Sequence, residues 1–531
     1  MTMRRIATLL LLSTAVLFVP ATASAAPALS AKLTSPTSID DALRGQWRVT
    51  LANSSATAFD DLPFEVSFYS SSGTAPIATL PDGAACAEFY PGQARCTVDV
   101  PANATLELPF TVQYRTRFGH FSGRVESTSP PDGVPLSDAQ EAVLGHPYTV
   151  RTADDAGEGS LRQAILDVNR ECTPFEPCMI GFAIEGPVPA EGWFTIKPQS
   201  PLPAFTGGDI YLDGRTQTQH TGDTNPLGPE IALDGTDLPQ GMTRLHGLSA
   251  IAGQLRCDSL AIGGFPGNGI QSSAFMLTVR DSYLGVDATG RHAMPNSRGV
   301  QVSGSEVTIL NSVLSANRRA GGYFVSNQRV TVQDSYIGVG ADGVTPLGNG
   351  ASGLFFHKTA VGYNTGTATG NVIANNGQAG IALSMQAVGN FAQNSFHDNG
   401  GSAIDVGIDG PTAGRDGLPG QGGVIAAPVI LAAHYENGIT TITADVAPGH
   451  HGTHVFTEVN FYASSAPDAD GTVEGAEWLG RVATFPGPIE LEVNRDLRGR
   501  LVNASAYGGY VYGWDDPAPG TSELGSAKVV D

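Results

Sequence analysis

Lysine is nearly absent: Lys32, Lys197, Lys358 and Lys528 are the whole complement in 531 residues. Acidic side chains outnumber Lys and Arg by 51 to 29, for a formal net charge of −22. Phosphate backbones are held by clustered cations, so this balance excludes nucleic acid as a partner. Cysteine is scarce too, at five, and no two are spaced as in a zinc or redox Cys-x-x-Cys motif. Beyond residue 25 no apolar run approaches the roughly 18 residues that a membrane-spanning helix requires. Walker loops, His-Glu-x-x-His and Gly-x-Ser-x-Gly elbows are missing as well, which removes the common nucleotide, zinc-peptidase and serine-hydrolase signatures.

The N-terminus carries Arg4 and Arg5, an apolar stretch from Ile6 to Phe18, and Ala23-Ser24-Ala25. This pattern predicts a secretory leader over residues 1–25 and an exported chain, secreted or displayed at the cell surface. In an oxidising compartment Cys86 with Cys96 and Cys172 with Cys178 are candidate disulfides. Cys257 is left over, as a buried small apolar residue.

Residues 26–146 alternate apolar and polar positions, with strand patterns at Trp47–Asn53, Phe64–Ser70, Ala94–Val100 and Leu106–Tyr114. They predict a small β-sandwich. "GEGSLRQAILDVN", Gly157–Asn169, differs in kind. Ser160 and Gln163 form a capping-box pair, and Leu161, Ala164, Ile165 and Val168 make one apolar stripe. A helix over 160–169 is expected, too short to stand alone.

The next segment repeats. Asp281, Tyr283, Gly285 and Asn296 recur as Asp334, Tyr336, Gly338 and Asn349, each 53 residues on. Apolar peaks fall at Ile270, Val300, Phe324, Leu354, Ile381 and Ile404, separated by 23 to 30 residues. Such periods, with short strands and turns rich in Gly and Asn, mean a solenoid of stacked coils. An open coil end exposes apolar side chains and unpaired strands, so the short helix is expected to plug the N-terminal mouth. After residue 423 alternation returns, predicting a second β-sandwich over 424–531. The fold class is therefore all-β: a parallel β-helix over 147–423 with a capping helix, flanked by two sandwiches.

The motifs "GEGSLRQAILDVN", "YLDGRTQ", the doubled "SYLGVDATG" and "SYIGVGADG", "NVIANNGQAGI" and "NGGSAIDVGIDG" resemble secreted bacterial right-handed parallel β-helix proteins, related in fold to pectate lyases. "GAACAEFYPGQARCTVDVPANATLELPFTV" resembles Ig-like modules of bacterial surface proteins. The β-helix resemblance covers about 380 residues and implies a long polysaccharide as ligand. Polygalacturonase signatures are absent, which argues against glycan hydrolysis.

A lyase needs a neutralising group at the uronate and a base for its C5 proton; a hydrolase needs two carboxyls across the scissile bond. Candidates for such chemistry are Asp281, Asp334, Asp213 and Arg215. Repetition weighs against Asp281 and Asp334, because turn geometry recurs in each coil whereas catalysis occurs once. The same holds for Asp287, Asp342, Asn296, Asn349 and Asn376, read as turn or ladder residues. Candidate ligand-binding residues are Arg318 and Arg319, a basic spot on an acidic protein, with Tyr283, Tyr336, Tyr323, Phe355 and Phe356 as an aromatic platform. Asp405, Asp409 and Asp416 are candidate oxygen ligands for Ca²⁺. His450, His451 and His454 read as a surface loop. The expected function is glycan binding or adhesion at the cell surface, with a polysaccharide lyase or epimerase, or a ligand-free stalk, as alternatives.

Overall fold

The computed structural model describes residues 29–531 except 37–38, 41, 71–72, 115–118, 128–136, 145, 174–176, 305, 328, 359–364, 385–386, 409–424, 448–456, 470 and 509–519. The expected leader over residues 1–25, Asp409, Asp416, His450, His451 and His454 lie outside the described residues. The chain divides into two compact units, 1–142 and 143–531.

In the first unit, Leu29–Thr34, Arg44–Asn53, Thr105–Gln113 and Ile77–Thr79 form one antiparallel sheet. Ser137–Leu144, Gly119–Ser127, Phe59–Ser70, Gln93–Val100 and Ala85–Tyr90, in that order, form a second. Alternation drives this arrangement: Leu62, Phe64, Val66 and Phe68 point inward, while Pro63, Glu65, Ser67 and Tyr69 point outward. Trp47, Phe68 and Phe110 fill the centre with ring centroids 5.3 and 5.7 Å apart. The Trp47 indole N–H donates to the Tyr114 hydroxyl, so its one polar atom is satisfied inside the core.

The second unit begins as a parallel β-helix. Three parallel sheets of nine, eight and seven strands run along it, and from Asp209–Asp213 onward each coil contributes one strand to each sheet in turn. The first sheet includes Asp209–Asp213, Gln254–Asp258 and Met276–Arg280; the second, Tyr283–Leu284 and Tyr336–Ile337; the third, Ile270–Ser272 through Ile404–Val406. All six apolar peaks seen in the sequence lie in third-sheet strands, fully buried. Phe324, Phe356 and Phe391 stack at 5.2 and 5.4 Å along the interior. Cys257 is buried there as well, and burial pushes its thiol far up. The repeated Gly285 and Gly338 take φ of 103° and 90°, and a side chain on either would run into the carbonyls of Ser315 or Ala374 in the following coil.

Between the second and third sheets the coils are joined by side-chain amides. Each Asn side-chain oxygen in the row Asn296, Asn317, Asn349, Asn376, Asn399 accepts from the preceding coil. Asn317 donates its backbone and side-chain N–H to the Asn349 oxygen at 3.1 and 3.0 Å, and Asn349 donates to Asn376 at 3.3 and 2.9 Å. Asn376 repeats this toward Asn399 at 3.1 and 2.9 Å. In a second row, Ser282, Ser312, Ser335, Asn371 and Asn394 at the turn between the first and second sheets, each backbone N–H donates to the side-chain oxygen of the next member.

The ends of the stack are closed differently. At the start, a helix spans Leu161–Glu171 and buries Leu161, Ala164, Ile165 and Val168 in the apolar core shared with Val150, Ile180 and Ile210. The Ser160 hydroxyl accepts from the Gln163 N–H, as the capping box predicts, but the Gln163 side chain donates to Asp167. The reciprocal half is not needed, because the Ser160 N–H already donates to the Gly157 carbonyl. Disulfides join Cys172 to Cys178 at the end of this helix and Cys86 to Cys96 in the first unit.

At the far end follow antiparallel sheets of three and five strands, and the five-stranded one meets the last coils. Tyr462 enters the β-helix core, donating to the Phe391 carbonyl at 3.1 Å. Glu474 ends the Asn row: one carboxyl oxygen accepts from the backbone and side-chain N–H of Asn399, at 2.8 and 3.1 Å. Burial pushes Glu474 up to about 9 and the nearby Asp468 adds to the rise, against the Asn399 N–H groups that pull it down, so the carboxyl holds its proton at neutral pH.

Two outcomes follow. Leu161→Ala empties a fully buried site at the plug and is expected to cost about 2–5 kcal/mol in denaturant unfolding, with a soluble aggregate on size exclusion for Leu161→Asp. Because the folded-state proton affinity of Glu474 is raised, its stabilisation is complete below the ordinary carboxylate range and is lost as pH rises toward about 9. The unfolding midpoint therefore falls over that window. Glu474→Gln, which keeps an acceptor for Asn399, should flatten the dependence.

Candidate functional site

Strand alternation leaves each β-helix sheet with one outward row per second residue. On the third sheet the central row is Gln271, Gln301, Tyr323, Phe355, Ala382 and Asp405, each in register with the next. Rungs are about 4.8 Å apart. Gln301 is fixed by Arg298 at 2.9 Å, and Asn268 donates to Gln271 at 2.8 Å. The Arg298 guanidinium lies over the Tyr323 ring at 4.5 Å. Tyr323 meets Phe355 edge-on at 5.1 Å and stacks on His357 at 6.0 Å. These side chains are half-buried, presenting ring faces and amide edges on one surface.

Beside the row lie Arg318 and Arg319, both exposed. Their backbone N–H groups donate to Asn296 and Ser297, which places them one coil above Arg298. Burial, then the charge of Arg319, holds Arg298 below its ordinary range. Arg318 donates to the Phe265 carbonyl at 3.1 Å. Among the described residues none of the three is paired with a carboxylate. On a chain of net charge −22, three such cations within one turn region form a local anion-attracting spot.

The other residues singled out in the sequence are dispersed. Asp281 and Asp334 sit in the short turns between first and second sheets with φ of 47° and 50°. Ser259, Asn311 and Gly370 hold the same kind of left-handed position in other coils, so the position is set by backbone geometry. Asp287 and Asp342 accept from backbone N–H groups of their own turns. Tyr283 and Tyr336 lie outward on the second sheet, with Val313 between them, away from Arg318 and Arg319. The Tyr283 hydroxyl donates to the Leu227 carbonyl at 2.7 Å. Phe356 points inward and belongs to the core. Asp405 closes the third-sheet row. Among the described residues no group of three His, Cys, Asp or Glu side chains is arranged to hold a metal ion.

Asp213 and Arg215 do meet, in a larger cluster than the sequence suggested. "LDGRTQ" reads as a turn, but Arg215–Thr221 is helical, with Gly214 at its start and the Gln217 amide tied to the Ile184 backbone. Arg215 pairs with Asp213 at 2.9 Å and with Asp258 at 3.3 Å, and also donates to the Tyr211 hydroxyl. Tyr211 donates to Asp258 at 2.9 Å. Burial raises Asp258, Arg215 and Tyr211 pull it down, and burial wins. Asp258 is 1% exposed, so no polymer reaches it. The cluster fastens the short helix onto the first sheet; it is not a cleft for two-carboxylate chemistry.

Sequence reasoning missed Gln271, Gln301, Arg298 and His357 as partners of Tyr323. The successive row members Gln271, Gln301, Tyr323 and Phe355 are 30, 22 and 32 residues apart, because insertions vary from coil to coil. Only strand register reveals the column.

The family described as right handed beta helix region matches residues 284–411, the coils that carry Arg298, Tyr323 and Phe355. No curated protein matches the chain. Among solved structures, an exo β-N-acetylglucosaminidase from Vibrio harveyi is 15% identical, covering 23% of this chain and 19% of its own, at a TM-score of 0.15. A Bacteroides uniformis β-glucuronidase is 9% identical over 94% of this chain and 61% of its own, at 0.19, and a calcium-binding mutant of β-glucuronidase 2 from the same organism is 8% identical at 0.18. The chain thus spans less than two thirds of each, and scores this low establish no common fold. What is established is a right-handed parallel β-helix with β-sandwich modules.

Proposed function

We propose that the outward row of the third sheet binds an extended acidic glycan without cleaving it, in a protein exported to the cell exterior. The observation that carries this reading is the in-register run Gln301, Tyr323 and Phe355 flanked by Arg298, Arg318 and Arg319. A linear glycan repeats along one axis, as the rungs do. Aromatic faces take the C–H faces of sugar rings, planar amides bond hydroxyl pairs, and guanidinium groups clasp carboxylates in two-point fashion. Two disulfides fit an oxidising compartment and support export, together with the leader-like N-terminus. The pectate-lyase-like resemblance of the sequence points to the same ligand class.

Affinity electrophoresis in gels containing polygalacturonate or alginate tests the proposal. Retention is expected, weakening steeply with added salt because the contact is between an arginine cluster and a polyanion. Tyr323→Ala should weaken it by about tenfold and Arg298→Ala with Arg319→Ala should abolish it, with unfolding midpoints unchanged. Absence of retention would leave a structural stalk. Appearance of unsaturated, ultraviolet-absorbing sugar ends would make the protein a lyase and overturn the non-catalytic reading.

A further inference from the structure

The first unit displays aromatic side chains where a spacer module has no use for them. Tyr69, Phe89 and Tyr90 are 38%, 40% and 67% exposed, all on or beside the strands Phe59–Ser70 and Ala85–Tyr90. An exposed edge strand normally carries charge or proline against unwanted pairing, not consecutive aromatics. Their presentation is also rigid. The Cys86–Cys96 disulfide staples the edge strand to Gln93–Val100. One Glu88 carboxyl oxygen accepts from the N–H groups of Ile77 and Gly92 at 3.1 and 2.7 Å, fixing the turn. Gly92 takes φ of 81°, and a side chain there would run into the carbonyls of Phe68 and Ala75, so only glycine closes that turn. A register shift between Glu88 and Tyr90 then leaves both Phe89 and Tyr90 exposed.

Next to these rings, the outer face of the sheet is polar and paired. Arg95 bonds Glu65 at 2.6 Å and lies over the Phe89 ring at 4.4 Å. Arg124 bonds Glu126 at 2.7 Å, and Gln93 donates to the Tyr69 hydroxyl at 2.7 Å. Glu65 stands between two adjoining hollows of about 420 and 210 Å³; Ala85, Thr97 and Arg95 help line the larger, and Tyr69, Gln93 and Phe89 the smaller.

We propose that this face is a second carbohydrate site, specific for a neutral oligosaccharide and separate from the β-helix row. Charge selects the ligand. Both arginines are already matched by glutamates, so an acidic polymer finds no unpaired cation here, in contrast to Arg298 and Arg319. A neutral pyranose chain matches what is on offer: Phe89 and Tyr90 for its C–H faces, and carboxylate, guanidinium, amide and phenol groups at hydroxyl spacing. A hydrocarbon-rich protein partner would leave the two ion pairs buried and only partly solvated, which costs more than the rings return.

Isothermal titration of the full chain with cellohexaose, xylohexaose, mannohexaose and chitohexaose tests this. At least one is expected to bind saturably. The double variant Phe89→Ala/Tyr90→Ala should bind it about tenfold more weakly or worse while retaining polygalacturonate as before, and Tyr323→Ala should leave hexasaccharide binding unchanged. Tyr69→Phe, which removes a single hydroxyl and should keep the unfolding midpoint, is expected to weaken binding several-fold. The proposal is overturned if none of the four sugars binds, if the double variant binds equally well, or if binding disappears in Tyr323→Ala.

Discussion

A stack of parallel coils pairs its strands by backbone hydrogen bonds, but the turns between strands leave polar groups buried with no strand partner. An unmade buried hydrogen bond costs on the order of 1–3 kcal/mol, a large fraction of a typical domain's net stability. Here the debt is met by side-chain amides: Asn296, Asn317, Asn349, Asn376 and Asn399 are all nearly inaccessible to solvent, and each accepts from one coil while donating toward the next. The row has a direction. Every asparagine oxygen is consumed by the coil before it, so the last asparagine is left with donors and needs a pure acceptor.

That requirement explains the C-terminal sandwich better than spacing does. Glu474 supplies the missing acceptor, and Glu523 takes the N–H of Val406 in the last third-sheet strand at 3.2 Å. Tyr462 caps the apolar column in the same region. The N-terminal end faces the opposite demand, for apolar cover with little polar repair, and an amphipathic helix meets it with Leu161, Ile165 and Val168. Helix and sandwich are thus unlike answers to unlike chain ends, and both follow from one ladder of coils.

The same logic shows what the sequence can and cannot disclose. Repetition made the solenoid readable, since Gly285 and Gly338 must each avoid a side chain, and Asp281 and Asp334 must each turn the chain. The amphipathic stripe made the plugging helix readable. Cluster membership was hidden, because Tyr211 and Asp258 are 47 residues apart and meet only through strand register. The Arg215 helix was hidden for another reason: seven residues with Gly214 at the start carry no apolar periodicity. The Glu474 role was unreadable because its partner lies 75 residues away, on a different kind of domain.

Once interior and turn positions are committed to packing and to hydrogen-bond repair, outward strand positions are the ones free to vary with function. The three faces use that freedom differently. The first sheet's outward row begins with Tyr211 and Arg256, which belong to the Asp258 cluster, and then runs Thr278, Thr308, Thr331 and Thr367 in register, the β-branched residues that a strand favours. On the second sheet Tyr283 lies beneath Leu227 of an earlier coil and Gly290 of its own, and Tyr336 beneath Gly343 of its own. Over the middle coils the third sheet carries Gln301, Tyr323 and Phe355 where the first carries threonine, with Arg298, Arg318 and Arg319 at its turn. Tyrosine and phenylalanine suit a strand as well as threonine does, so sheet packing accounts for the rings but not for arginines without a carboxylate partner gathered beside them. A ligand running parallel to the ladder does.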